Sequence, residues 1–162
     1  DWVSNYLLHQ IDKITGKSSS PLSSLEQIFM MNISLASSYP SLPRTILSSI
    51  NKKNTLTGRL TKTLIYNYKS KLNRLFVKAI KKNELPSHLN ADTATTIFIG
   101  TIQGLIIQSL ILNDPELLSR EASNAFEHTI TGFLTKNSNT KALSRVLTHE
   151  ETAYINRMHR KQ

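Results

Sequence analysis

The side chains best suited to catalysis or metal binding are scattered along the 162-residue chain and form no known motif. Its five histidines are far apart in sequence: His9, His88, His128, His149 and His159. The string HEE at His149 begins like the helix of a zinc protease, but the second histidine of that motif would fall at Ala153. We therefore predict that the protein has no metal site.

The sequence also lacks the surroundings that activate a nucleophile or bind a phosphate group. Serine is abundant but stands in no nucleophile elbow, and the closest glycines, Gly100 and Gly104, fall within a helical pattern instead of a phosphate-binding loop. The chain contains no Cys, which excludes disulfides and thiolate metal ligands and fits a reducing compartment. We predict a cytoplasmic protein that is not an enzyme and uses no cofactor.

Apolar residues recur at helical spacing along most of the chain. The pattern predicts helices over residues 2–15, 21–39, 43–50, 56–82, 91–112 and 115–134. No stretch alternates apolar and polar residues as a half-buried strand does, so we predict an all-α helical bundle. We expect one domain over residues 1–135 and a polar tail over residues 136–162, where Thr148 and Glu151 predict a short helix through Met158.

Several residues are typical of helix ends. Ser20 before Pro21, Asn90, and Asp114 before Pro115 predict helix starts. Gly16 and Asn83 predict helix ends, because both residue types tolerate a left-handed backbone. The sequence begins at Asp1 and has no basic and apolar leader there. We therefore interpret the sequence as part of a longer protein and not as a secreted precursor.

The net charge of +9 is distributed unevenly. The segment from Arg44 to Asn83 contains no Asp or Glu. In the segment from Glu84 to Thr135 most of the charged residues are acidic. A solvated helix face rich in Lys is the simpler interpretation of the basic segment. The alternative is a basic helical module that binds nucleic acid or an anionic surface directly.

The stretch from Asn90 to Leu112 is apolar on every side of a helix from Ile97 onward. Because a surface helix keeps one polar face, we expect this helix to be covered by its own domain on one side and by a second copy of the chain on the other. We assign Phe98, Ile102 and Ile106 to the core of the domain. The apolar run is interrupted by polar residues and is shorter than the roughly 20 residues that span a bilayer, so we predict no membrane span.

Gly100 and Gly104 lie four residues apart and therefore share one face of this helix. Other residues of the same face are Ile97, Thr101, Gln108 and Ile111. A glycine within a helix costs about 0.5 to 1 kcal/mol relative to alanine, so two on one face indicate that another helix approaches closely. That helix belongs either to the same domain or to a second subunit, and the all-round apolarity favours a subunit contact in addition to the core.

Aromatic, Met and aliphatic residues of the earlier helices could line a cavity. The candidate pocket residues are Tyr6, Phe29, Met30, Ile33, Leu47, Tyr66, Tyr68 and Phe98. Apolar walls with a few hydroxyl or amide groups suit a small apolar or amphipathic ligand. For any single residue of this set, packing in the core is the simpler role.

The segment from Leu72 to Ile111 resembles the regulatory domain of TetR-family transcriptional regulators. In that family a basic amphipathic helix ends before an acidic residue and Leu, and the next helix carries D-x-x-A and then G-x-x-Q-G-L. The corresponding residues here are Glu84, Leu85, Asp92, Thr95 in place of Ala, Gly100, Gln103, Gly104 and Leu105. The string SSYPSLPRTILSSI is also similar to the family's short helix after a Pro-bearing break. Asn83 departs from the Gly that is frequent there.

The resemblance covers residues 1–135 and implies a homodimer in which the last two helices of each copy form a four-helix interface. It adds Ala122, Phe126, Thr129 and Phe133 to the interface residues of the preceding helix. It also implies a small-molecule effector and operator DNA, bound through a helix-turn-helix that precedes this chain. The resemblance therefore implies the regulatory domain of a repressor that a small molecule releases from DNA.

Overall fold

The computed structural model describes residues 2–49 and 55–135 of the chain. These ranges form six helices and no strand, which confirms the predicted all-α fold. The helices are α1 (Trp2–Lys17), α2 (Pro21–Ser38), α3 (Ser41–Ser49), α4 (Leu56–Lys81), α5 (Ala91–Leu112) and α6 (Glu116–Leu134). The helix predicted through Met158 lies outside the described residues.

The predicted start signals act through their side chains. The Ser20 hydroxyl accepts the backbone N–H of Ser23 at 3.0 Å. The Asn90 side chain accepts that of Thr93 at 2.9 Å. At the start of α6, Asp114 Oδ1 accepts the N–H of Leu117 at 3.2 Å. Each cap satisfies a backbone donor that the first helical turn leaves unpaired, so local sequence determines where these helices begin.

The predicted helix ends agree with the structure only in part. Asn83 has a left-handed φ of 57° after α4, as predicted, and Asn113 has a φ of 50° after α5. The prediction that Gly16 ends α1 is wrong, because α1 extends to Lys17 and no described glycine has a positive φ. Helix α3 begins at Ser41, two residues before the predicted start, which places Pro43 in the first turn, where a missing N–H breaks no hydrogen bond.

Phenylalanine rings from four helices form the centre of the core. The Phe98 ring of α5 lies edge-to-face with Phe29 of α2 at 5.5 Å and with Phe76 of α4 at 5.6 Å between centroids. Helix α6 contributes Phe126, at 5.5 Å from Phe29, and Phe133, at 5.8 Å from Phe76. Edge-to-face pairs add about 0.5 to 1.5 kcal/mol beyond area burial, so this cluster fixes how the four helices pack.

A carboxylate joins the α4–α5 turn to the start of α2. Glu84 Oε2 accepts the Ser20 hydroxyl at 3.0 Å and the Leu22 backbone N–H at 2.7 Å. A negative charge is favourable at the positive end of the helix dipole. The contact therefore closes the bundle at the end opposite α3 by a charge-assisted hydrogen bond, a class that contributes about 1.5 to 3 kcal/mol.

Helix α5 is long and apolar enough to cross a membrane when judged by length and composition alone. A buried helix of a soluble bundle meets the same criteria. In this structure α5 buries Ala94, Thr95, Phe98, Ile102, Leu105 and Ser109 within the domain. The assignment of Phe98 and Ile102 to the core is confirmed, whereas Ile106 is half-buried.

The substitution Phe98→Ala should lower the free energy of unfolding by about 3 to 5 kcal/mol, because it leaves a cavity between three helices. Tyr66→Ala is the matched control: its side chain is 75% exposed, so its loss should change stability by less than about 0.5 kcal/mol. Urea denaturation at one fixed protein concentration measures both. Equal effects of the two substitutions would contradict the central position of Phe98.

Candidate ligand-binding site

A cavity of about 400 Å³ lies between α3, the first half of α4 and one side of α5, and residues of α1 and α2 close it. Its size falls within the range of roughly 300 to 1,000 Å³ that is typical of ligand pockets. The apolar lining residues are Leu7, Pro43, Ile46, Leu47, Leu64, Ile65, Ile99, Ile102, Ile106 and Ile107. Among the described residues no acidic or basic side chain lines the cavity, so these walls suit an uncharged apolar group.

Helical spacing brings these walls together. Leu64 and Tyr68 are four residues apart on α4, and Ile99, Ile102 and Ile106 follow one another at three and four residues on α5. Each set therefore forms a stripe along one face of its helix. The short helix α3 contributes Ile46 and Leu47 to the same lining.

The polar part of the lining consists of Asn32, Thr61, Tyr68 and Gln103. The Asn32 amide nitrogen donates to the Ile28 carbonyl and to the Tyr68 hydroxyl oxygen, each at 2.7 Å. Because an amide nitrogen only donates, the Tyr68 oxygen is the acceptor in this contact. Within the described ranges the Tyr68 hydroxyl makes no further hydrogen bond, so its own proton remains available to a ligand.

Burial determines the protonation of Tyr68. Desolvation raises the pKa of the Tyr68 phenol well above its usual value, and the hydrogen bond from Asn32 opposes this shift only in part. The side chain is only 7% exposed. Tyr68 is therefore a neutral hydrogen-bond donor at physiological pH.

The structure brings together only part of the predicted pocket set. Leu47 and Tyr68 line the cavity. Three predicted residues lie in the core instead, namely Phe29, Ile33 and Phe98. Met30 is half-buried and packs against that core, Tyr6 is half-buried outside the lining, and Tyr66 is exposed. Phe29 and Phe98 do not line the cavity because their rings fill the space where α2, α4 and α5 meet.

Sequence reasoning missed the polar lining residues Asn32, Thr61 and Gln103. One signal was present at Asn32, which interrupts the apolar run Phe29–Ile33 in α2. A buried amide needs hydrogen-bond partners, so a polar residue in such a run indicates a polar contact across the bundle. Thr61 and Gln103 carried no comparable signal, because both fit a solvated helix face equally well.

The predicted interface residues separate into an open set and a buried set. Residues with open surface on α5 and α6 are Ile97, Gly100, Thr101, Gly104, Gln108, Ile111 and Thr129. The Thr101 and Thr129 hydroxyl oxygens lie 3.4 Å apart, so the two helices run side by side at this surface. Ala122 and Phe133 are buried within the domain, and Phe126 packs on Phe29, because the inward stripe of α6 passes through all three.

Gly100 and Gly104 have no close neighbour outside their own helix. A Cβ atom added at either position would meet no atom of the described residues within 4 Å. No helix of the described ranges therefore makes the close approach that these glycines predicted. Beside them, Ile97 is 47% and Ile111 is 77% exposed, so the same face of α5 also presents apolar surface.

The outer face of α4 is basic. Lys62, Lys69, Lys78 and Lys81 are exposed and make no ion pair with any residue of the described ranges. Lys71 differs, because it pairs with Asp12 of α1. The described part of α4 thus presents a solvated cationic surface, and none of these lysines lines the cavity.

Comparison with known proteins identifies the fold. No family model matches this sequence, and no curated protein is detectably similar to it in sequence. The structure is similar to that of the transcriptional regulator FadR from Bacillus subtilis in complex with stearoyl-CoA, with a TM-score of 0.69. The match covers 80% of this chain and 69% of that chain at 14% identity. At this identity the likeness establishes the all-helical fold, which is one that occurs in a transcriptional regulator.

Tyr68→Phe should make the protein less sensitive to alkaline pH. The unfolded chain releases the phenolic proton near pH 10, whereas the raised pKa of Tyr68 keeps the folded state protonated. Above about pH 10 the unfolded state binds fewer protons, so stability falls as pH rises. Between about pH 9 and 11 the melting temperature of the wild type should therefore fall more steeply than that of Tyr68→Phe.

Tyr66→Phe is the control for this measurement, because Tyr66 is an exposed tyrosine on the same helix. Its melting temperature should follow the wild type across the alkaline range. Identical pH slopes for Tyr68→Phe and the wild type would contradict the buried, neutral state of the Tyr68 phenol.

Proposed function

We propose that this chain is the effector-binding and homodimerising regulatory domain of a TetR-family transcriptional repressor that a small molecule releases from operator DNA. The observation that carries the proposal is the uncharged apolar cavity beside α5, in a fold that also occurs in a transcriptional regulator. DNA would be bound through a helix-turn-helix that precedes this chain. That the FadR structure is a complex with stearoyl-CoA is consistent with a ligand that has an apolar part.

Helix α5 offers a direct route from ligand to dimer. Ile99 and Gln103 line the cavity, and Gly100 and Gly104 follow them immediately on the open face. A ligand that displaces the cavity side of α5 therefore also displaces the backbone that we propose meets the second subunit. Regulation requires that the ligand bind one dimer arrangement more tightly, and this differential affinity limits the effect. A small change in the separation of two DNA-binding heads is sufficient, because half-sites must match the helical repeat of DNA.

The exposed lysines of α4 support the second candidate, a basic module that binds nucleic acid or an anionic surface directly. Four lysines of this helix that form no ion pair with the described residues supply the cations that such binding needs. The cavity has no role in this second function. The two candidates are therefore separated by whether the isolated chain binds apolar ligands or binds DNA in a steeply salt-dependent manner.

Nile red, a neutral apolar dye, should bind the wild-type chain and gain fluorescence. Ile106→Trp should fill part of the cavity and weaken this binding about tenfold or more, because overpacking a site costs about 1 to 3 kcal/mol. Thr93→Trp is the control, since it adds the same side chain at an exposed position of α5 outside the cavity. Equal binding by both variants, or none by the wild type, would contradict an effector cavity.

Gly104→Leu should dissociate the proposed dimer without unfolding the subunit. Outside the helix backbone no atom of the described residues lies within 4 Å of a Cβ at Gly104, so these residues leave room for the larger side chain. At micromolar concentration the wild type should sediment as a dimer and Gly104→Leu as a monomer with unchanged helical circular dichroism.

Gly16→Leu is the matched control, because Gly16 is equally unobstructed but belongs to α1, away from α5 and α6. It should remain dimeric. A dimeric Gly104→Leu variant would place the interface elsewhere, and a monomeric wild type would contradict the homodimer.

A further inference from the structure

The cavity contains one buried donor for which the described protein provides no acceptor. We infer that the cavity selects an uncharged ligand whose ketone, ester or similar oxygen accepts a hydrogen bond from the Tyr68 hydroxyl, while Asn32 holds that hydroxyl in position. This inference rests on the proposed ligand-binding function and specifies the chemical class of the ligand. It assigns the donor role to Tyr68 and a positioning role to Asn32.

The hydrogen-bond inventory of the two side chains supports the donor role. Both donor bonds of the Asn32 amide nitrogen are made, one to the Ile28 carbonyl and one to the Tyr68 oxygen. Tyr68 therefore uses one of its acceptor positions and keeps its only proton. A buried hydroxyl proton without an acceptor is unfavourable, so a ligand that supplies an oxygen at this point provides the acceptor that the described side chains do not.

The Ile28 carbonyl fixes the orientation of the Asn32 amide. Turning the amide by 180° would place the Asn32 oxygen against the Ile28 carbonyl oxygen, and two acceptors repel each other. The amide nitrogen therefore always faces Tyr68, and the Tyr68 oxygen always accepts. Since the direction of this bond cannot reverse, the hydroxyl proton is not used by Asn32 and stays available to a ligand.

The rest of the lining excludes a charged head group. No Asp, Glu, Lys, Arg or His of the described ranges lines the cavity, and Lys62 and Lys69, which follow lining residues in the sequence of α4, are exposed. A carboxylate or ammonium group without a partner loses far more solvation free energy on burial than one hydrogen bond restores. A ligand with an uncharged oxygen on an apolar body satisfies Tyr68 without this loss.

Three naphthalene derivatives of similar shape test the inference: methyl naphthyl ketone, which has an acceptor; ethylnaphthalene, which has none; and naphthoate, which is charged. Their affinities are measured by displacement of Nile red from the wild type, Tyr68→Phe and Tyr66→Phe. Tyr68→Phe should weaken binding of the ketone about three- to tenfold and leave ethylnaphthalene within about twofold. Tyr66→Phe should change neither, and naphthoate should bind the wild type at least about tenfold more weakly than the ketone.

A second measurement does not depend on a variant. The infrared carbonyl stretch of the ketone bound to the wild type should shift to lower frequency than in an apolar solvent, as expected for a hydrogen-bonded carbonyl. The inference would be overturned by an unshifted stretch, by an unchanged ketone affinity in a folded Tyr68→Phe, or by tighter binding of naphthoate. The proposed ligand-binding function would stand in each of these cases. Failure of all three compounds and of Nile red to bind would overturn both the inference and the effector-binding function.

Discussion

Helix α5 has no polar face, and the rest of the structure depends on how its different sides are covered. One side enters the aromatic centre, where the Phe98 ring contacts Phe29 and Phe76. A second side lines the cavity through Ile99 and Ile106. The third side carries Gly100 and Gly104, where an added Cβ atom would meet no atom of the described residues within 4 Å. Burial of apolar area contributes about 25 cal/mol per Å², so an uncovered apolar side of this length favours association with another surface.

The aromatic centre gives the other two sides of α5 a defined position. Close-packed interiors shift between discrete arrangements and do not deform continuously, because side chains there interdigitate with few voids. Phe98 is completely buried among α2, α4 and α6. On the proposed function, a ligand would therefore move α5 as a rigid element about this cluster. The cavity is suited to cause such a movement because residues of α3, α4 and α5 line it together, so a bound ligand would contact α5 directly.

The parts of the fold that local sequence determines were predictable. Ser20, Asn90 and Asp114 cap helices because their short polar side chains reach a backbone N–H two or three residues on, and no distant residue is needed. The cavity depends instead on which face of one helix meets which face of another. An aromatic residue such as Phe29 fits a core and a pocket wall equally well by type, and only the packing of α2 on α5 assigns it to the core.

The two glycines of α5 lower the stability of the separate subunit but would favour association in the proposed dimer. In the separate subunit they cost about 0.5 to 1 kcal/mol each, and no contact of the described domain offsets this cost. In a dimer the absence of side chains allows a second helix to approach the backbone at these positions. The stability of the domain would then depend on protein concentration, because association would offset the free-energy cost of the two glycines that the separate subunit does not offset. A ligand that weakens the contact between the two subunits would lower this free energy of association. Ligand binding in the cavity would in this way change the arrangement of the dimer.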